Sequence, residues 1–239
     1  MKSPKLKDKC EICKEELIYA INSKDYKTIE CEFCKNPFNA NIYCPNGHYI
    51  CDDCHSKEPI KVIENFCSNT DLKDPFIISE KIMIHPKFKM YGPEHHVLSA
   101  AAILAALKNN DVKKPNGKEI TEFDIKEAIR RASKIPGGWC GFYGSCGAGM
   151  GSGVAISIFT NATPSKDKPR SYANQMTSRS LNRIADNMEH CCKRSVRLTI
   201  MEAFCFLKEK FGIDLNYSPQ KCSFSDLNDK CVGKQCPIF

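Results

Sequence analysis

Within the first 54 residues, eight cysteine and histidine side chains fall into four pairs, and nothing else in the chain constrains its folding as strongly. Cys10 and Cys13 form one CxxC, Cys31 and Cys34 a second, and CPNGHYICDDCH adds Cys44, His48, Cys51 and Cys54. A CxxC turn lets two thiolates reach one ion at ~2.3 Å, and two such pairs close a tetrahedral shell. Eight ligands therefore predict two structural zinc ions. Sequential pairing joins the first pair to the second, as in a ribbon; interleaved pairing joins the first to the third, as in a cross-brace. The spacing leaves both open. His55, directly after Cys54, is a substitute ligand by chemistry and a surface residue by position.

The chain carries sixteen cysteines in 239 residues. Its start, MKSPKLKDKC, lacks a secretory pattern, and the apolar run at 97–107 is too short to cross a bilayer, so a cytoplasmic location is expected. A reducing compartment favours metal ligation over disulfides. Through Cys67 there are ten Lys/Arg against eleven Asp/Glu, and beyond it 25 against 17. A near-neutral module has no basic face for phosphate, which argues against nucleic acid and for a structural or protein-contact role.

The expected organisation is a small zinc-binding module, ribbon or cross-brace, over residues 1–66, and a mostly α-helical domain over 77–239. The stretch NFCSNTDLKDPF at 65–76 reads as a linker. HHVLSAAAILAALKN at 95–109 has a broad apolar face. TEFDIKEAIRRASKI follows, with Thr121 and Asp124 spaced as a capping box, and Pro136 and Gly137 end it. VAISIF continues an apolar segment, and residues 171–190 and 193–212 give two further helical patterns, the last stopped by Gly212. No strand series and no internal repeat is evident.

PGGWCGFYGSCGAGMGSG at 136–153 holds eight of the thirteen glycines and the only tryptophan. It is neither a GxGxxG fingerprint after a strand nor a P-loop, which needs a closing Gly-Lys-Ser/Thr. Two readings remain. The glycines pack helices closely, or their amides, at Gly144, Gly147 and Gly149 above all, approach a cofactor or a substrate anion. Packing does not account for Cys140 and Cys146. Six more cysteines follow, of which Cys191, Cys192, Cys222, Cys231 and Cys236 are candidate ligands, the last before a proline as at ferredoxin ends. An iron–sulfur cluster, of the 4Fe-4S type, is the leading expectation, ahead of a further zinc or of redox-active thiols. The expected ligands are Cys140, Cys146 and one or two tail cysteines, with at most one from the Cys191–Cys192 pair.

His95 and His96, beside Glu94 at a helix start, are candidate catalytic residues or else packing groups. Residues 166–197 concentrate Lys166, Lys168, Arg170, Arg179, Arg183, Lys193, Arg194 and Arg197, a solvated face or a surface for an anion. Asn161 and Thr163 are either ligand contacts or helix-end caps.

Together CPNGHYICDDCH, GPEHHVL, GGWCGFYGSCGAGMGSG, CCKR and CVGKQCP resemble a domain-of-unknown-function family (5714) of anaerobic archaea and bacteria, over nearly the whole chain. The resemblance implies no reaction. Some relatives are joined to methyltransferase domains, but this chain has no methyltransferase glycine motif. SCGAGMGSGVA is also similar to helix starts in iron–sulfur serine dehydratases and cysteine desulfidases, although the full dehydratase pattern is absent. That similarity implies an open iron acting as a Lewis acid on a small substrate. The leading expectation is thus an iron–sulfur-dependent enzyme of lyase or sulfur-transfer type acting on a small anion. The alternative is a zinc and iron–sulfur adaptor or redox sensor that docks a partner protein.

Overall fold

The computed structural model describes residues 9–10, 12–51, 54, 58–185, 188–215, 218 and 220–239; His55 lies outside them. The N-terminal part is two small antiparallel ladders. β2 (Lys27–Glu30) and β3 (Pro37–Ala40) form a hairpin with Lys27 opposite Ala40, and the turn between them carries Cys31 and Cys34. β1 (Ile18–Tyr19) instead pairs with β4 (Ile42–Tyr43), with Ile18 opposite Tyr43. That second pairing draws the segment after Cys13 alongside the segment before Cys44.

The rest is helical: α1 (Pro59–Asn69), α2 (Pro75–Met83), α3 (Glu94–Asn109), α4 (Glu122–Ala132), the short α5 (Trp139–Phe142), α6 (Gly147–Phe159), α7 (Asp167–Ile184) and α8 (Cys192–Phe211). α3 is apolar around its whole circumference, and every residue from Glu94 to Leu107 is buried, as a central helix requires. α4 begins with the expected capping box of Thr121 and Asp124. α8 ends at Gly212, whose φ of +66° suits glycine. Among the described residues, no helix is long and apolar enough to cross a membrane.

The stretch that reads as a linker is structured. Residues 65–69 are the last turn of α1, with Phe66 and Cys67 fully buried, and Asp74 caps α2 through the Phe76 and Ile77 N–H groups. Its polar residues serve helix ends rather than a flexible tether. Nor does the cysteine module stand off from the helices. Phe33, between Cys31 and Cys34, packs edge-on against Phe66 and His85 with ring centroids 5.9 and 4.4 Å away. A single hydrophobic core runs from Cys31 and Phe33 through the helices to Ile238.

Glycines set the approach of α6 to its neighbours. A Cβ on Gly147 would run into the His96 ring, and one on Gly151 into the His96 carbonyl oxygen and Ser99 Oγ, both on α3. On the opposite face, Gly149 meets Leu181 and Ser180, and Gly153 meets Thr177, all on α7. Ser99 Oγ completes the contact, donating to carbonyl oxygens of His96 at 3.0 Å and Ala148 at 2.8 Å in alternative orientations.

Candidate metal centres

The first two sites are built from turns. Lys14, directly after Cys13, and Lys35, directly after Cys34, both adopt positive φ, 65° and 60°, and their N–H groups return to the carbonyls of Cys10 and Cys31. CEICK and CEFCK are thus one turn used twice. This five-residue repeat is visible in the sequence, where no repeat is expected, and it corrects that reading. Gly47, with φ +82°, supplies the matching turn after Cys44.

Two ligand groups result, Cys10 with Cys13, Cys44 and His48, and Cys31 with Cys34, Cys51 and Cys54; the ligand atoms of each lie within 4.8 Å of one another. The pairing is interleaved: first with third, second with fourth. Within the first group, Sγ atoms of Cys13 and Cys44 are 3.4 Å apart, and His48 Nδ1 is 3.7 Å from Cys44 and 4.0 Å from Cys10. In the second, Cys34 and Cys51 are 3.9 Å apart, and the Cys51 N–H donates to Cys31 at 3.5 Å. Tetrahedral bonds of ~2.3 Å put sulfurs about 3.8 Å apart, so both groups fit single ions of the zinc type. In the first, burial would raise the Cys13 thiol, but hydrogen bonds from the Glu15 backbone, Cys44, Asn46 and His48 outweigh it and bring it down to about 6. Burial pushes its partner Cys44 up to about 11.

The seven candidate cysteines of the helical domain are arranged differently. Cys191, Cys222, Cys231 and Cys236 line one narrow cavity with Lys193, Arg194, Arg197, Phe224 and Asn228. Their sulfurs collect N–H donors: Arg194 N–H to Cys191, Phe224 N–H to Cys222 and Gly233 N–H to Cys231, each at 3.4 Å, and the Asn228 amide to Cys191 at 3.7 Å. Two of these donors lie two residues after the cysteine, as Phe33 lies after Cys31 in the module, where it also bonds the thiolate. The thiols are nevertheless spread more widely than in the zinc-type groups, since among the described residues only those two meet the 4.8 Å limit.

The tail that carries three of these cysteines is pinned to the helices. Phe224 lies beneath the Lys193 ammonium, 4.1 Å from the ring centroid, and the Arg197 guanidinium, at 5.3 Å. Arg197 is fully buried and grips Glu80 through two bonds of 2.5 and 2.7 Å. Lys193 donates to the Met83 carbonyl; burial first, then Arg197, lower its pKa to about 8. Sequence reasoning missed Glu80 and Phe224, for Glu80 and Arg197 are 117 residues apart and no local pattern joins them.

Cys140, Cys146 and Cys192 lie elsewhere. Cys140 is exposed beyond the Gly138 turn, Cys146 caps α6 and Cys192 opens α8. Of the candidate glycines, Gly147 and Gly149 face α3 and α7, whereas Gly144 has φ +63° and open space where a Cβ would stand. The candidate histidines are buried on α3. His95 donates from Nδ1 to the Gly92 carbonyl at 3.0 Å, leaving Nε2 without a hydrogen bond; burial first, then the Lys193 charge, lower its pKa to about 3, so the ring is neutral. His96 donates to the Ile135 carbonyl at 3.2 Å. Glu94, buried with Oε1 unbonded, lines the nearby cavity.

The basic residues at 166–197 all find partners in their own chain. Arg179 and Arg183 bind Glu202 at 2.6 and 2.8 Å across α7 and α8, Arg170 pairs with Asp167, Lys166 reaches the Asn161 carbonyl and Lys168 stands over Tyr172. Arg194 donates to the Glu189 carbonyl. Thr163 and Ser165 hydroxyls meet each other at 3.1 Å.

A family model described as a family of unknown function, DUF5714, matches residues 63–239, and the chain belongs to that family. The match covers the helical domain and all seven of its ligand-candidate cysteines, and it begins inside α1. No curated protein and no solved structure matches.

Proposed function

We propose that this member of the family is an iron–sulfur redox protein, with a cluster held by Cys191, Cys222, Cys231 and Cys236 and a two-zinc cross-brace at its N-terminus. The observation that carries this is the tail cavity: four thiols, N–H donors on three of them, and three cationic side chains in its walls. A several-iron core spaces its cysteine sulfurs more widely than one ion does, and N–H bonds to those sulfurs tune its potential. The thiols fit that demand in number and hydrogen bonding. Lys193, Arg194 and Arg197 offset the negative charge of four thiolates, three of them half-buried and that of Cys231 exposed. With every iron ligated by protein, such a cluster moves electrons and leaves no position for substrate. The cross-brace, near-neutral and sharing the helical core, holds the N-terminal segment and offers a surface to a partner protein.

The test is anaerobic reconstitution of the full chain with ferrous iron and sulfide, read by iron analysis and by the visible absorption of the cluster. Cys222→Ser and Cys231→Ser should each lose the tail cluster's iron while retaining zinc. Zinc in place of iron at the tail, or iron unaffected by both changes, would refute the assignment.

A further inference from the structure

We propose that Cys140, Cys146 and Cys192 form a second cluster site, separate from the tail site, beside the N-terminus of α3 and with one coordination position not supplied by a cysteine. This rests on the iron–sulfur reading above and divides the seven candidate cysteines of the domain into four and three; the eighth, Cys205, is exposed on α8.

Contacts with residues 92–96 bring the three together. The Gly92 backbone bonds the Cys192 thiol. Gly137, where the loop carrying Cys140 begins, lies against Pro93, with a Cβ there 4.0 Å from Pro93 Cδ. Cys146 immediately precedes Gly147, which sits under the His96 ring. The His96 bond to the Ile135 carbonyl anchors the start of the same loop. Among the thiols, Cys146 and Cys140 act on Cys192 more strongly than its sequence neighbour Cys191 does. The neighbouring cysteines therefore serve different sites. Cys191 is the extended N-cap residue of α8, with φ −149°, and Cys192 is the first helical residue, so the backbone changes direction between them.

His190 does not fill the fourth position. Its Nε2 is 3.4 Å from the Cys192 sulfur itself, a hydrogen bond to a ligand rather than a place on another iron. Its ring stacks on Tyr91 at 5.3 Å; the Tyr91 hydroxyl donates to Asn228 at 2.7 Å, and Asn228 bonds Cys191. A chain of hydrogen bonds, interrupted by the Tyr91–His190 ring stack, thus runs between the two sites.

The same Gly92–Glu94 segment on which the three loops converge walls a cavity of about 560 Å³, together with Lys87, Lys89 and Tyr91; the thiols themselves do not line it. Glu94 is more than nine-tenths buried, with Oε1 unbonded. An iron with a free position is a Lewis acid, the two lysines favour a small anionic ligand, and burial raises the Glu94 pKa, which suits a carboxyl that holds a proton beside it.

Iron analysis of the full chain, reconstituted anaerobically, tests the division. Cys140→Ser, Cys146→Ser and Cys192→Ser should each keep half the wild-type iron, as should Cys222→Ser and Cys231→Ser, and Cys146→Ser combined with Cys231→Ser should keep none. Ferricyanide supplies a test of the open position. The cluster gives up one ferrous iron and passes one electron to ferricyanide, leaving a three-iron core with its own paramagnetic resonance signal. Wild type and the tail variants should show that signal, and the three-thiol variants should not. Circular dichroism controls for folding, and Cys205→Ser, an exposed thiol on α8, controls for loss of any thiol. Cys140→Ser decides if the less exposed variants unfold. Full iron in all three variants, with loss confined to Cys222→Ser and Cys231→Ser, would overturn the second site and leave the tail cluster standing. An iron-free wild type would overturn the reading beneath both.

Discussion

Gly151→Ala separates the two roles that a glycine-rich stretch before a helix can play. The added methyl would overlap the His96 carbonyl oxygen and Ser99 Oγ, and neither can swing away. The first is backbone of a fully packed helix, and the second bridges His96 and Ala148 across the same interface. Overpacking of this kind costs about 1–3 kcal/mol, and rigid neighbours put it at the upper end. Alanine in place of a helical glycine returns about 1 kcal/mol. The net loss is about 2 kcal/mol, which for a chain of this size lowers the melting temperature by roughly 4–8 °C. Gly141→Ala, helical with open space at Cβ, should leave the melting temperature unchanged or raise it. Gly144→Ala meets no atom but must hold φ +63°, at about 1–2 kcal/mol. Thermal unfolding followed by circular dichroism, with iron analysis of the same samples, checks all three. Iron lost from Gly151→Ala without a fall in melting temperature would refute the packing argument and return these glycines to the cofactor.

Three further outcomes are expected. Because the zinc-type sites interleave, Cys13→Ser with Cys44→Ser should retain one zinc per chain and Cys13→Ser with Cys31→Ser none; the reverse pattern would show sequential pairing. Glu80→Gln leaves the buried Arg197 charge uncompensated and should cost about 3–5 kcal/mol in urea unfolding, whereas replacing both with apolar residues should cost far less. His95 is held near pKa 3 in the fold against 6.5 in the open chain, so the unfolded state takes up the proton first. Its contribution is complete above pH 6.5 and falls as pH drops toward 3, by about 2 kcal/mol at pH 5, measured as the wild-type stability change minus that of His95→Gln.

How much of this is legible in the chain depends on the range of the interaction that decides it. The α3 boundaries and the start of α4 follow from local signals, a long apolar run and the Thr121–Asp124 box, and the structure places them within a residue; α4 ends at Ala132, short of the Pro136–Gly137 stop that the sequence suggests. The polar 65–76 stretch looks like a linker because its Asp and Asn residues favour caps and turns, yet the caps belong to helices whose apolar faces are buried. The eight module ligands are equally visible, but their pairing is not. It is fixed by β1 joining β4 rather than the nearer β2, and strands of two residues leave almost no period to read. Only the repeated CEICK and CEFCK give a local clue, since identical turns make it natural that each supplies half of a different site.

The helical domain sets the same problem in a harder form. Which of the eight cysteines beyond residue 77 share a site cannot be read from the sequence, because no spacing tells whether Cys191 or Cys192 turns toward the tail. The structure answers through contacts far apart in the chain. Asn228 and the α8 amides hold Cys191, Gly92 holds Cys192, and the buried Arg197–Glu80 pair with Phe224 beneath it keeps the tail on the side of the first. The proposed second cluster follows from the same contacts. With residues 222–236 against α8 on the side of Cys191, and Cys205 exposed farther along that helix, Cys140, Cys146 and Cys192 are left beside the first turn of α3, and three thiols leave one position of a four-iron core without a cysteine.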